Sequence, residues 1–259
     1  MALPASATVL GRLAAMVQDP FRALPADMAG IAPLPPTAIA GAAPVARRRL
    51  APVLARDCGL AALDVPDRFL RRIRTDEEER LAAGVAVLDL QGLRTAAQAV
   101  SAAVFASLAL GLVRKEERRA FTAALGEEAL TIATRLAPVF FARLPELAPQ
   151  VASVAEALAP GAPVPATEFS PQTAAAPQDR WTRPRLSHAV AAEPLVLRTG
   201  YAVLTRWLER VEPVLGDLTR ARLGSDVDSS DGAPVEDAHA AQIARLLKQR
   251  VPRWSSSTA

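Results

Sequence analysis

The chain has 259 residues, which is long enough to bury a full core as one large domain or as two lobes. Its 56 alanines and 33 leucines favour helix, whereas strands need the β-branched and aromatic residues that are scarce here. The formal net charge of +3 is small for this length and does not by itself indicate a nucleic-acid binder. A single cysteine, Cys58, excludes an internal disulfide. We therefore predict an all-α protein, an irregular bundle of many helices.

The first part of the chain alternates short helices with proline-rich sequence. A short amphipathic helix is predicted at residues 4–18, whereas the six prolines of residues 19–44 exclude regular helix over most of that span. A helix over residues 47–58 would end at Gly59, because glycine commonly follows the last turn of a helix. A short helix or turn follows at about residues 67–74.

The middle of the chain has the strongest helix signals. Thr75 and Glu78 have the spacing of a capping box, so a helix begins there, and its buried stripe carries Leu81, Val85 and Leu88. Residues 96–113 carry no charge, but their alanine, serine and glutamine make them only weakly hydrophobic. We therefore expect a central helix from about residue 95 to residue 113, buried in protein and not spanning a membrane.

Further helices are predicted over residues 115–125, 127–136 and 138–158, and Gly126 suits the cap that ends the first of them. These complete an N-terminal lobe of residues 1–159. Residues 160–185 are rich in proline and alanine, which predicts a linker or a surface loop.

A C-terminal helical segment is predicted over residues 186–259. It contains a helix at residues 195–211, a second helix begun by Pro213 and an acidic loop at residues 224–234. A final helix at residues 235–251 presents three apolar residues to the core: Ile243, Leu246 and Leu247.

Motifs for common chemistry are not found in the sequence. The two histidines, His188 and His239, lack metal-ligand spacing to each other or to a cysteine, and each is expected at a surface or helix end. There is no phosphate-binding loop and no nucleophile elbow. Asp226 and Asp228 lie in a segment whose glycine is misplaced for a calcium loop. We predict no catalytic, cofactor-binding or metal-binding residues.

Four cations lie close together in the helix predicted over residues 115–125 and just before it. They are Arg114, Lys115, Arg118 and Arg119, at positions i, i+1, i+4 and i+5 of one face. Three interpretations are open: a solvated face of mixed charge, a docking face for an acidic protein, and a phosphate-binding face. No aromatic residue interleaves with these cations to stack on bases, which disfavours nucleic acid.

Residues 81–136 also carry a set of local patterns. An alanine- and leucine-rich helix ends near Leu110-Gly111, a charged helix start follows over residues 114–119, and Leu125-Gly126-Glu127-Glu128-Ala129 comes next. In these features the segment resembles the core of the K-type accessory subunit of type III secretion systems, the SctK family. A weaker resemblance continues through Leu197-Arg198-Thr199-Gly200-Tyr201 and then Leu215, Leu218, Arg220, Arg222 and Leu223.

The resemblance implies a non-enzymatic cytoplasmic adaptor of the secretion sorting platform. Such a protein connects the pod protein to the cytoplasmic domain of the inner-membrane ring, is recruited to the cytoplasmic face of that membrane, and needs no cofactor or small-molecule substrate. Two other classes stay open from the residues. One is an arginine-rich protein associated with nucleic acid or granules, and the other is a helical enzyme or regulator whose site leaves no local motif.

Overall fold

A computed structural model describes residues 6–18, 66–147, 183–223 and 234–255. Within these ranges 86% of the residues are helical and no strand occurs, which confirms the all-α prediction. The predictions for residues 19–44, 47–58, 160–182 and 224–233 lie outside the described residues.

The helices follow one another with short connections in most of the described ranges. A π-helical stretch, Ile132–Leu136, separates two short helices, and a 3-10 helix, Leu144–Leu147, comes after them. In chain order the α-helices are α1 Ser6–Gln18, α2 Asp67–Thr75, α3 Glu77–Ala86, α4 Leu90–Val104, α5 Ala106–Gly111, α6 Lys115–Leu125, α7 Ala129–Thr131, α8 Ala137–Phe140, α9 Arg183–Val211, α10 Pro213–Leu223 and α11 Asp237–Ser255.

Helix α4 lies at the centre of the bundle. It packs against α9 most extensively, and also against α11, α6 and the π-helical stretch. All residues from 99 to 104 are buried, because a helix surrounded by others must be apolar on every side. One hydrophobic cluster joins Leu13 on α1, Val100 on α4, Trp207 on α9 and Leu246 on α11. This core draws on both sides of the predicted linker, while the division into domains stays a prediction.

The backbones of α4 and α9 approach closely where they cross. The Ser101 hydroxyl donates to the carbonyl oxygen of Val196 at 2.7 Å, and both partners are buried. A Cβ placed on Gly200 would lie 2.3 Å from the Ala97 carbonyl oxygen. Only glycine fits at this position of α9, so the closeness of the crossing explains why a residue with low helix propensity stands inside a long helix.

The predicted central helix is wrong in its bounds. Helix α4 begins at Leu90, five residues before the expected start, and ends at Val104, where Phe105 leaves helical geometry with φ −90° and ψ 20°. The shorter α5 follows and ends at Gly111. Phe105 itself is fully buried, and the helix that follows it is only partly so, with Ala106 and Ala109 buried and Leu110 exposed.

Other helix ends also differ from expectation. The N-cap of α3 is Asp76 and not Thr75, because Asp76 Oδ1 accepts from the amides of Glu78 at 2.8 Å and Glu79 at 3.1 Å. The helix predicted at residues 138–158 is already interrupted after Phe140, and residues 148–158 lie outside the described residues. The C-terminal helices are longer than predicted, since α9 begins at Arg183 and α11 ends at Ser255.

Several predicted features are confirmed. Helix α6 has the expected bounds, and Gly126 follows it with φ +91°, which L side chains rarely adopt. The first helix, the helix near residues 67–74 and the start of α10 at Pro213 are also found. The residues of the two predicted stripes are buried, although Leu88 lies two residues beyond the end of α3: Leu81, Val85, Leu88, Ile243, Leu246 and Leu247.

Candidate functional site

The basic face, defined as the side chains of Arg114, Lys115, Arg118 and Arg119, is exposed in all four members. Arg114 is the N-cap of α6, and its backbone N–H donates to Glu117 Oε2 at 3.2 Å. Within the described ranges, the side chains of Arg114, Lys115 and Arg119 have no ion-pair partner. A role of these three charges in binding stays a prediction.

Arg118 differs from the other three cations because it serves the protein's own backbone. Its Nε–H donates to the carbonyl oxygen of Leu112 at 2.8 Å. Leu112 is the buried residue of the connection between α5 and α6 and is only 7% exposed. The connection is thus held from two sides, by the buried leucine side chain and by the arginine on the following helix.

Two large apolar side chains next to the basic face are exposed. Leu110, near the end of α5, is 57% exposed, and Val113, immediately before Arg114, is 82% exposed. We refer to them as the apolar pair. The sequence interpretation placed both in the buried central helix, so their exposure is a correction. The signal that marks the transition is Gly111 between them, followed by the charges that begin at Arg114.

A shallow pocket of about 250 Å³ lies at the opposite end of α6. Its lining combines α4 residues with the segment that carries the family resemblance: Thr95, Gln98, Ala99, Leu125, Gly126, Glu127, Glu128, Ala129 and Ile132. Small-molecule sites usually enclose about 300–1,000 Å³, so this pocket suits a single side chain better than a whole ligand. Glu128 at its edge is already paired with Arg250 of α11.

Arg222 is a buried cation with a structural partner. Its guanidinium donates to the carbonyl oxygens of Ala86, at 2.6 Å, and Leu88. Ala86 is the last residue of α3, and Leu88 lies two residues beyond it. Burial lowers the pKa of Arg222 to about 10, and the nearby Asp89 carboxylate partly opposes that effect. The side chain therefore satisfies carbonyls that a helix end leaves without partners, and it fastens α10 to α3.

An ion cluster with two buried carboxylates and a half-exposed arginine joins α2, α3 and the connection between α9 and α10. Arg72 Nε lies 3.1 Å from Glu79 Oε1, and Arg72 Nη2 lies 3.8 Å from Glu212 Oε2. Both carboxylates are buried, at 8% and 4% exposure. Burial raises the pKa of Glu79, while the Arg72 charge acts in the opposite direction. This cluster was not predicted from the sequence.

His239 is at a helix start, as predicted, but it is not at the surface. It is 5% exposed near the beginning of α11, where its Nε2 lies 3.1 Å from Glu146 Oε2 and its Nδ1 accepts from the Glu236 amide at 3.4 Å. The side chain of His188 lies outside the described residues. Among the side chains that the structure describes, no three histidine, cysteine, aspartate or glutamate residues are grouped as a metal would need.

Within the described ranges no helix combines the length and the apolar character needed to cross a membrane. Comparison of the chain with protein-family models, with curated proteins and with solved structures finds no match.

Proposed function

We propose that this protein is a non-enzymatic adaptor that binds other proteins, of the kind that serves a type III secretion sorting platform. The observation that carries the proposal is the basic face, in which three exposed cations have no partner within the described part of the chain. In the SctK-like role, the protein would join the pod protein to the cytoplasmic domain of the inner-membrane ring, on the cytoplasmic side of that membrane.

Charge at an exposed face favours this kind of function for a physical reason. Exposed cations contribute little to the stability of their own fold. They accelerate encounter with an acidic surface and set the orientation of docking, because their field extends beyond contact distance. The contacts of Arg222, and those of Arg72 with Glu79 and Glu212, instead join helices of the protein's own fold.

Nucleic acid is the alternative ligand for such a face. The segment from Leu110 to Arg119 has no aromatic side chain on which a base could stack. The apolar pair in this segment, Leu110 and Val113, has no donor or charge with which to contact a phosphate. These two observations favour an acidic protein as the partner.

The test uses the double variant Lys115→Glu/Arg119→Glu. Both residues are exposed and one turn apart, and Glu at the first position of α6 suits the helix dipole, so the fold should be kept. Arg118 is left unchanged because it holds the Leu112 carbonyl. Binding to purified pod protein and to the ring domain should lose about tenfold or more in association rate, most strongly at low salt.

The matched control is Arg71→Glu/Arg74→Glu, which makes the same change in charge on two exposed residues of α2. It should bind as the native protein does. Equal binding by the basic-face variant and the native protein would remove this face from the interface. A native protein that bound neither partner would overturn the adaptor proposal, and tight, salt-sensitive binding to an oligonucleotide would favour the alternative.

A further inference from the structure

The apolar pair and the basic face follow one another in the chain. Val113 directly precedes Arg114, and Leu110 lies four residues before it, so exposed apolar and cationic groups come within a few residues of each other. Exposed apolar side chains are common singly. Five large hydrophobic side chains are exposed in the described ranges, and Leu110 and Val113 are the two that come directly before the basic face. The other neighbouring pair, Val139 and Phe140, already has Arg245 over the Phe140 ring.

This surface is held in place before any partner arrives. The Arg118 guanidinium binds the Leu112 carbonyl at 2.8 Å, and the Glu117 carboxylate accepts from the Arg114 amide at 3.2 Å. The Leu112 side chain is buried beneath the connection. An exposed segment fixed in this way loses less conformational entropy on binding than a free loop would.

We infer that the apolar pair and the basic face form a bipartite docking surface for an acidic protein segment that presents an apolar side chain between carboxylates. This inference rests on the proposed adaptor function and names the chemistry of the partner. The carboxylates would meet Arg114, Lys115 and Arg119, while the partner's apolar side chain would cover Val113 and Leu110. Interfaces commonly combine an apolar centre with a charged rim in this manner.

An anionic membrane is the other ligand with both properties, and the surface fits it less well. Membrane-bound helices bury a continuous apolar face with leucine and aromatic side chains. The apolar pair consists of two aliphatic side chains with Gly111 and the buried Leu112 between them. A partner with one or two anchoring side chains matches that small apolar area.

The experiment uses three fluorescent synthetic helices as probes, measured by anisotropy against the full chain. The first carries leucine and glutamate, the second replaces leucine by serine, and the third replaces glutamate by glutamine. The leucine–glutamate helix should bind most tightly. Val113→Ser should weaken its binding about tenfold, because one buried aliphatic side chain contributes about that factor. The same variant should leave the serine–glutamate helix unaffected.

Leu90→Ser is the matched control. Leu90 is an exposed leucine, at 42%. It is the first residue of α4, whereas the apolar pair comes after the last residue of that helix. The Leu90→Ser variant should bind all three probes as the native protein does. The charge variant Lys115→Glu/Arg119→Glu should weaken the binding of both glutamate-containing helices.

Two results would overturn the inference. One is equal binding of the leucine–glutamate helix by the native protein and by Leu110→Ser/Val113→Ser. The other is Val113-dependent binding to phosphatidylglycerol vesicles with no binding of the peptide helices, which would assign the surface to a membrane. Failure of the adaptor proposal is separate, because it requires that the native protein bind neither the pod protein nor the ring domain.

Discussion

Gly200 of α9 lies directly against the backbone of Ala97 in α4, and this approach leaves no room for a side chain. A Cβ on Gly200 would come within 2.3 Å of both the Ala97 carbonyl oxygen and the Ser101 hydroxyl oxygen. The first of these atoms belongs to the backbone of the central helix, so it cannot move aside without moving the helix.

We expect Gly200→Ala to lower the free energy of unfolding by about 1–3 kcal/mol, the usual cost of inserting a group into a packed core. Urea denaturation measures this change. The control is Gly11→Ala in α1, where a Cβ would meet nothing within 4 Å. Because alanine is the better helix former, that variant should gain about 0.5–1 kcal/mol. Equal effects of the two substitutions would contradict the close crossing.

Ala103 on α4 is fully buried, so Ala103→Asp would place a carboxylate in the core without a partner. The expected loss is on the order of 3–5 kcal/mol, the cost of an uncompensated buried charge. Ala123→Asp on the exposed side of α6 is the control and should cost less than about 1 kcal/mol. Thermal melting distinguishes them, and a melting temperature unchanged by Ala103→Asp would show that α4 is not central.

Arg222→Met should remove the donors for the Ala86 and Leu88 carbonyls while keeping an apolar side chain of similar length. Leaving two buried carbonyls without donors should cost about 2–4 kcal/mol. Arg220→Met, on the same helix, breaks the ion pairs with Asp217 and Glu209 at the surface and should cost about 1 kcal/mol or less. Chemical denaturation tests both, and an equal cost would refute the capping role of Arg222.

Burial raises the pKa of Glu79 in the folded chain, so the folded state binds more protons than the unfolded state between the ordinary and the raised pKa. Stability contributed by this group therefore falls as pH rises through that window. The groups that act on Glu79 are Arg72, Asp76, Glu78 and Glu212.

Glu79→Gln should remove this proton linkage and flatten the pH dependence of unfolding between acid pH and neutrality. Urea midpoints measured across that range give the slope. Glu78→Gln, which removes an exposed carboxylate one residue earlier, serves as the comparison. A Glu79→Gln variant with the native slope would mean that burial of Glu79 does not affect its proton binding.

Helix α6 was predictable because both its ends carry signals, with charged residues at the start and Gly126 after the last turn. The interruption at Phe105 was not, since the surrounding sequence of alanine and valine contains no glycine or proline. The Phe105 ring is fully buried, and tertiary packing of this kind commonly overrides local helix propensity. The central helix ends at Val104 and not at Val113, so the exposure of Val113 was missed as well.

Helical spacing in the sequence indicates that three of the polar residues lie on buried faces. Glu79 is three and seven residues before Ala82 and Ala86, Arg222 is four residues after Leu218, and His239 is four before Ile243. Each therefore occupies a position on the buried stripe of its own helix. Their partners could not be predicted, because Arg222 reaches carbonyls 134 and 136 residues away in the chain.

The crossing of α4 and α9 has a consequence for synthesis of the chain. Ser101 and Val196 are 95 residues apart, so the apolar surface of α4 leaves the ribosome long before the helix that covers it. At about 5–20 residues per second, that delay is about 5–20 seconds. During this interval the nascent chain presents an alanine-rich helix without its main neighbour, which is a target for chaperones and for aggregation. Slow translation between these helices should therefore lower the yield of folded protein.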